Sequence, residues 1–233
     1  MSAPTVQVET RGAVALVTLN RPENANTLNL QMAMDLLAAA LACARNAAVR
    51  AVVLTGAGRN FCFGGDLRAM ASRETAADDY IRELTTYLHA AIAHFTRMDA
   101  PVIAAVNGTA AGAGVGLVAM ADIALCTRGS KFNLAYTNAG LTPDAGTSFL
   151  LPRIIGARRT MVKSVFCVSM PISRKCRFTH SHAPRAVMPI FLWSYPAEPP
   201  EANASPSQKS YSAAMALAMS EKVAVPLSAA TTR

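Results

Sequence analysis

Short apolar runs alternate with longer stretches of helical period along residues 1–161. Residues 6–10 and 14–19 are β-rich runs separated by Arg11-Gly12, which predicts a hairpin. Leu30, Met34, Leu37 and Leu41 recur at helical spacing after Asn29, which predicts an amphipathic helix with Asn29 as its cap. Residues 51–55 are apolar almost throughout and end in Gly56, the pattern of a strand covered on both faces. Ile81, Leu84, Leu88, Ile92 and Phe95 mark one face of a second helix, with Asp78 or Asp79 as its cap. Pro101 leads into a buried strand over 102–106, and Asn107-Gly108 turns the chain. Gly112-Ala113-Gly114 opens an apolar helix ending near Ala121, and residues 122–126 read as a third buried strand. Strands alternating with helices predict an α/β fold.

This order stops near Met161. All 13 glycines lie at or before Gly156, whereas eight of the 13 prolines and eleven serines follow Met161. Residues 1–161 hold 14 Lys+Arg and 11 Asp+Glu, and residues 162–233 hold 8 and 3, so the net charge of +8 sits mostly in the tail. The chain therefore divides into a core, 1–161, and an atypical segment, 162–233. A basic surface suits an anionic ligand, but 6% aromatics and no arginine-rich run argue against nucleic acid. The longest apolar stretch, 102–125, is interrupted by four glycines, Asn107 and Asp122, so no membrane insertion is expected. The first residues lack the basic-then-apolar order of a secretory signal. The cysteines at 43, 62, 126, 167 and 176 show neither disulfide nor metal-ligand spacing. A cytoplasmic setting and no metal site are the expectations.

Candidate chemistry lies in two glycine-rich turns that follow buried strands. The first is GAGRNFCFGGD, residues 56–66, and the second is NGTAAGAGVG, residues 107–116. Turns of this kind let backbone approach a ligand, and a turn opening a helix leaves N–H groups free. Two such turns can each direct one N–H at the same oxygen, which makes an oxyanion hole. Tight turns serving only close packing are the alternative. Arg59 and Arg68 flank the first turn and can pair with phosphates or remain solvated. Cys62 has no neighbouring base and reads as a small buried residue.

The segments LNRPENANTLN (19–29), AVVLTGAGRNFCFGGDL (51–67), PVIAAVNGTAAGAGVGLVAMADIAL (101–125) and GLTPDAGTSFLLPRIIGARR (140–159) resemble the crotonase, or enoyl-CoA hydratase/isomerase, superfamily. The resemblance covers residues 6–161. It implies an α/β spiral of ββα repeats, homotrimers or hexamers, and an acyl-CoA thioester as substrate. It implies no cofactor, because CoA is part of the substrate. Carried over by motif, the backbone N–H groups of Gly65 and Ala113 would polarise the thioester carbonyl. Phe63, Gly64, Asp66, Leu67, Arg68 and Gly112 would line the substrate, with Phe63 where the family usually has a small residue.

The acid–base positions separate the subfamilies. The two glutamates of hydratases match Gly116 and Tyr136 here, and neither is a carboxylate base at neutral pH. Asp144 in LTPDAGT matches the aspartate of isomerase-type members, and Leu141 and Phe149 are expected to bury it. Asp144 can instead cap the helix that follows. A third reading resembles aryl-CoA dehalogenase members, in which Asp144 would be a nucleophile, His89 a base and Tyr136 an aromatic wall. His89 can equally be a helix-surface histidine. An isomerase is thus the favoured expectation, with a hydratase, a dehalogenase-like hydrolase or a non-catalytic acyl-CoA-binding relative as alternatives. The helices that normally follow in the family are not recognisable after Met161, which suggests a frameshifted or disordered tail. His180, His182 and Trp193 match no motif there.

Overall fold

Arg11 faces Val14 across a two-residue turn in which Gly12 adopts φ +59°, so β1 (Val6–Arg11) and β2 (Val14–Leu19) form the expected hairpin. The structure, a computed structural model, describes residues 4–73 and 76–166, with side chains through Met161. Asn29 caps α1 (Leu30–Arg45): its Oδ1 accepts the Met32 N–H at 2.9 Å. The Leu30 N–H donates to the Tyr80 hydroxyl at 3.1 Å, so a second orphan donor of the helix start is satisfied from elsewhere in the fold.

The buried face of α1 is not the leucine row. Met32, Ala33, Leu36, Ala39, Ala40 and Cys43 are buried, while Met34 is exposed and Leu30, Leu37 and Leu41 are intermediate. Both rows have helical spacing. The alanines let α1 come close to its partner, and the larger leucines flank the contact.

The chain then enters β3 (Ala51–Gly56), which pairs parallel with β2. After α2 (Leu67–Ala71) and α3 (Ala77–Arg97) it returns as β4 (Val102–Val106), parallel to β3 with Leu54 opposite Ala104. The cap of α3 differs from expectation. Ala76 occupies that position without a side-chain bond, and Asp78 and Asp79 lie in the first turn, where their charge favours the positive helix end. Tyr80, Leu84, Leu88, Ala91, Ile92 and Phe95 form its buried face, which packs on α1.

Two short elements follow, β5 (Ala110–Ala111) and α4 (Ala113–Ala119), and then β6 (Ile123–Cys126), parallel to β4. Asp122 lies outside β6 and is exposed; its carboxylate accepts the Val102 N–H at 2.8 Å and so closes the start of β4. The main sheet runs β1-β2-β3-β4-β6, and β5 pairs parallel with β7 (Phe132–Asn133) in a second, two-stranded sheet. Val52, Leu54, Val102 and Ala104 face the helices, and Val53, Ile103, Ala105 and Leu125 form a second cluster on the opposite face. A leucine as fully buried as Leu54 contributes about 2–3 kcal/mol.

α5 (Thr147–Ile155) packs on α4 and leads to α6 (Ala157–Phe166). The architecture is the expected α/β alternation. Of the atypical segment 162–233, residues 162–166 continue α6; the expectations for the rest of it, including the frameshifted or disordered tail, His180, His182 and Trp193, lie outside the described residues. Among the described residues no helix is long and apolar enough to cross a membrane.

Candidate functional site

The two glycine-rich turns are laced together by backbone. The Phe61 and Cys62 N–H groups both donate to the Thr109 carbonyl, at 3.1 and 3.2 Å, and the Ala111 N–H donates to the Cys62 carbonyl at 2.8 Å. Asn107 bridges the same turns from the end of β4. Its Oδ1 accepts the Gly56 N–H at 3.2 Å, and its Nδ2 donates to the Gly58 carbonyl at 2.8 Å. Gly64 lies where they touch, at φ +82°. A Cβ there would sit 2.8 Å from the Ala111 oxygen and 3.1 Å from the Ala113 nitrogen. Only glycine permits both that dihedral and that approach.

Two amides in this junction have no acceptor among the described residues. Leu28 pairs around Gly65: its N–H donates to the Gly64 carbonyl at 2.7 Å, and its carbonyl accepts the Asp66 N–H at 2.9 Å. The Gly65 N–H between them is left over. Ala113 is the first residue of α4, where no carbonyl precedes it in helical register, so its N–H is free as well. Gly112 stands before it and donates its N–H to the Asn133 carbonyl at 2.8 Å. These are the two amides expected from the motifs, and the turns that carry them are in contact.

Other residues around the first turn serve the frame. Asp66 caps α2 by accepting the Ala69 N–H at 3.1 Å, and it pairs with Arg21 at 3.1 Å and Thr27 at 3.3 Å. Desolvation opposes its charge, but the Ala69 amide and the Arg21 guanidinium hold its carboxyl below the usual range. The Asp66 carboxylate is thus engaged in the frame of the first turn. Asn26, fully buried at φ +55°, donates to the carbonyls of Ala57 and Asn60 at 2.9 and 2.8 Å and accepts the Arg21 N–H. Met70 lies over Gly65; its methyl would be 2.7 Å from a Cβ added there. Sequence reasoning missed Arg21, Asn26, Thr27 and Met70, because they have partners 31 to 45 positions away or, for Met70, across a turn. Cys62 is buried as expected. Burial pushes its thiol up to about 12, and its sulfur accepts the Gly64 N–H. Phe63, Leu67, Arg59 and Arg68 are exposed around the turn.

A second group of residues gathers beside α4. The Tyr136 hydroxyl donates to Asp144 Oδ1 at 2.8 Å. Burial, with the Asp144 charge beside it, raises the tyrosine well above its ordinary range, so it stays a neutral donor. His89 Nε2, from α3, accepts the Ala145 N–H at 3.2 Å and lies 3.8 Å from Asp144 Oδ2. Asp144, His89 and Tyr136 thus meet in space, although His89 stays at the surface of α3 with its side chain 49% exposed. Asp144 is not a side-chain cap of α5. Gly146 occupies that position, and it is the Asp144 carbonyl that accepts from the Thr147 N–H and hydroxyl, at 2.8 and 2.6 Å. Nor does Phe149 bury it: Phe149 is 59% exposed, with the Arg153 guanidinium stacked 3.5 Å from its ring. Leu141 is partly buried against the core. The Asp144 side chain is left 31% accessible.

Ala145, at φ +48°, presses this loop onto Gly116, three residues into α4 from Ala113. A Cβ at 116 would run into the Ala145 carbonyl oxygen and lie 2.8 Å from the Ala145 Cβ. The position matching the first hydratase glutamate is filled by the loop that carries Asp144. The position matching the second, Tyr136, donates to that same aspartate. One accessible carboxylate, one neutral phenol and two unpaired amides can move a proton beside a polarised carbonyl.

The Enoyl-CoA hydratase/isomerase family profile matches residues 9–173. A probable enoyl-CoA hydratase of Rhodobacter capsulatus is 43% identical over 166 residues, 71% of this chain and 63% of its own length. The 1,2-epoxyphenylacetyl-CoA isomerase of Escherichia coli is 39% identical over 149 residues, 64% of this chain and 57% of its own. A solved structure of an enoyl-CoA hydratase/isomerase from Mycobacterium abscessus superposes with a TM-score of 0.66 at 36% identity, covering 71% of this chain and 64% of that one. The chain thus spans about three-fifths of the length of the relatives it matches.

Proposed function

The chain belongs to the enoyl-CoA hydratase/isomerase family, and from that premise we propose that it shifts a carbon–carbon double bond in an acyl-CoA thioester. The Gly65 and Ala113 amides would hold the thioester oxygen as negative charge builds on it. Asp144 would remove a proton from one carbon of the acyl chain, giving a dienolate, and return it to another carbon. No atom is added and no bond to CoA is broken. The Tyr136 hydroxyl would keep the carboxylate aimed while its second oxygen carries the proton.

One observation carries this reading: the Asp144 loop occupies the space over Gly116, so the site offers one carboxylate where hydration uses two. The assay is product analysis on 2-enoyl- and 3-enoyl-CoA substrates, with Asp144→Asn alongside. An isomerase gives a product of unchanged mass, and the variant loses about 10²- to 10⁴-fold in turnover while still binding acyl-CoA. A 3-hydroxyacyl-CoA product identifies a hydratase. Binding without turnover in the unaltered chain identifies a non-catalytic relative. With an intact C-terminus the same reading expects a homotrimer or hexamer in the cytoplasm, and light scattering on the purified chain tests the assembly.

The distance of 3.8 Å between His89 and Asp144 favours a second reading, an aryl-CoA dehalogenase-like hydrolase with Asp144 as nucleophile and His89 as base. Against it, the Nε2 lone pair already accepts the Ala145 N–H. Halide release from a haloaryl-CoA would support that reading over the isomerase.

A further inference from the structure

We infer that neutral His89 is a positioning residue: by accepting the Ala145 N–H at Nε2 it holds the loop that presents Asp144, and its protonation releases that loop and turns the ring onto the carboxylate. The inference rests on the isomerase reading for its catalytic consequence, but not for its structural one.

Ala145 and Gly146 are consecutive residues at positive φ, +48° and +76°, and Ala145 has a Cβ that makes this conformation costly. Something must hold it. On one side Ala145 packs on Gly116, and on the other its N–H reaches His89 across 56 positions of sequence. Ile92, one turn along α3 from His89, lies 3.9 Å from a Cβ added at Gly146, so α3 backs the loop at two points.

An imidazole can accept at Nε2 only when that nitrogen carries no proton, so the proton of the neutral ring sits on Nδ1. Protonation makes Nε2 a donor. It then faces the Ala145 N–H, donor against donor, with an acceptor 3.8 Å away in Asp144 Oδ2. Among the described residues, Asp144 carries the carboxylate within 4 Å of the ring, with the neutral Tyr136 hydroxyl bonded to its other oxygen. On α3 the neighbours one turn away, Thr85, Thr86, Ile92 and Ala93, carry no charge. The ring therefore has two partners and satisfies one at a time. The neutral form aims the loop and leaves Oδ2 open; the charged form occupies Oδ2 and frees the Ala145 amide.

The test compares the unaltered full chain with His89→Gln and His89→Ala. The glutamine amide oxygen reaches where Nε2 stands and does not titrate. Three readouts are taken: the His89 tautomer by nitrogen NMR, amide exchange of Ala145 against pH, and kcat and KM on the enoyl-CoA the chain accepts. Expected are an Nδ1–H tautomer and Ala145 exchange, corrected for intrinsic rate, that speeds about five- to tenfold on acidification, as loss of one net hydrogen bond implies. His89→Gln keeps the protection and flattens its pH dependence. His89→Ala loses it at every pH, and kcat drops about ten- to a hundredfold with little change in KM. An Nε2–H tautomer, or Ala145 exchange indifferent to both substitutions, overturns the inference. A chain that shows the exchange pattern but never moves a double bond overturns the isomerase reading and leaves the His89 contact standing.

Discussion

Gly116→Ala is the smallest change that probes how the site is built. In an ordinary helix this substitution stabilises by about 1 kcal/mol, because alanine is the better helix former. Gly116 lies inside α4, without positive φ, so that gain applies here. Opposing it is the Ala145 backbone. The new methyl would collide with the Ala145 carbonyl oxygen and stand 2.8 Å from its Cβ, where carbon–carbon contacts need about 3.5–4.0 Å. The loop must retreat by about 1 Å, and α4 is buried from end to end, so the helix cannot move instead. Overpacking of this kind costs about 1–3 kcal/mol, which outweighs the propensity gain or at least cancels it. The Tyr136–Asp144 bond, 2.8 Å long, would stretch beyond hydrogen-bonding range with the same displacement. Urea unfolding at constant m checks the balance. Gly129→Ala, where nothing lies within 4 Å of an added Cβ, is the control. The expected result is a lower midpoint for Gly116→Ala and no loss for Gly129→Ala. A Gly116→Ala chain about 1 kcal/mol more stable than its parent would refute the packing of Ala145 on α4. It would also reopen position 116 to a glutamate.

Two further predictions test the frame. Ala113→Pro removes one unpaired N–H at the first position of α4, where proline is tolerated; turnover should drop about 10²- to 10³-fold while circular dichroism stays unchanged. Asp66 is held charged in the folded chain, so its contribution is present above the usual carboxylate range and lost as pH falls through its lower folded value. Asp66→Asn should lower stability by about 1–3 kcal/mol at pH 7, and the two unfolding curves should converge in acid.

Much of this was legible in local pattern. The hairpin at Gly12, the Asn29 cap and the apolar runs of β3 and β4 depend on neighbours in sequence, and they appear where composition and periodicity put them. The two turns were legible from their glycines, and their mutual contact followed from each trailing a buried parallel strand. What local pattern hid was distant. The choice between two helical rows on α1 was decided by how closely alanines let α3 approach. The roles of Asn26, Arg21 and His89 depend on carbonyls, carboxylates and an amide 31 to 56 positions away. Asp144 reads locally as a cap for the helix after it, and only Tyr136 and Gly116 reveal that its side chain points elsewhere. Gly116 itself reads as one more small residue in an apolar helix, though the loop that carries Asp144 packs directly on it.

The most direct test of the central claim is enoyl-CoA turnover by the full chain in ¹⁸O-labelled water, with the product resolved by mass. The account predicts a migrated double bond, no ¹⁸O in the product, and loss of the reaction in Asp144→Asn. A 3-hydroxyacyl-CoA carrying ¹⁸O would contradict it, because water would then have been activated at a site argued to hold one carboxylate.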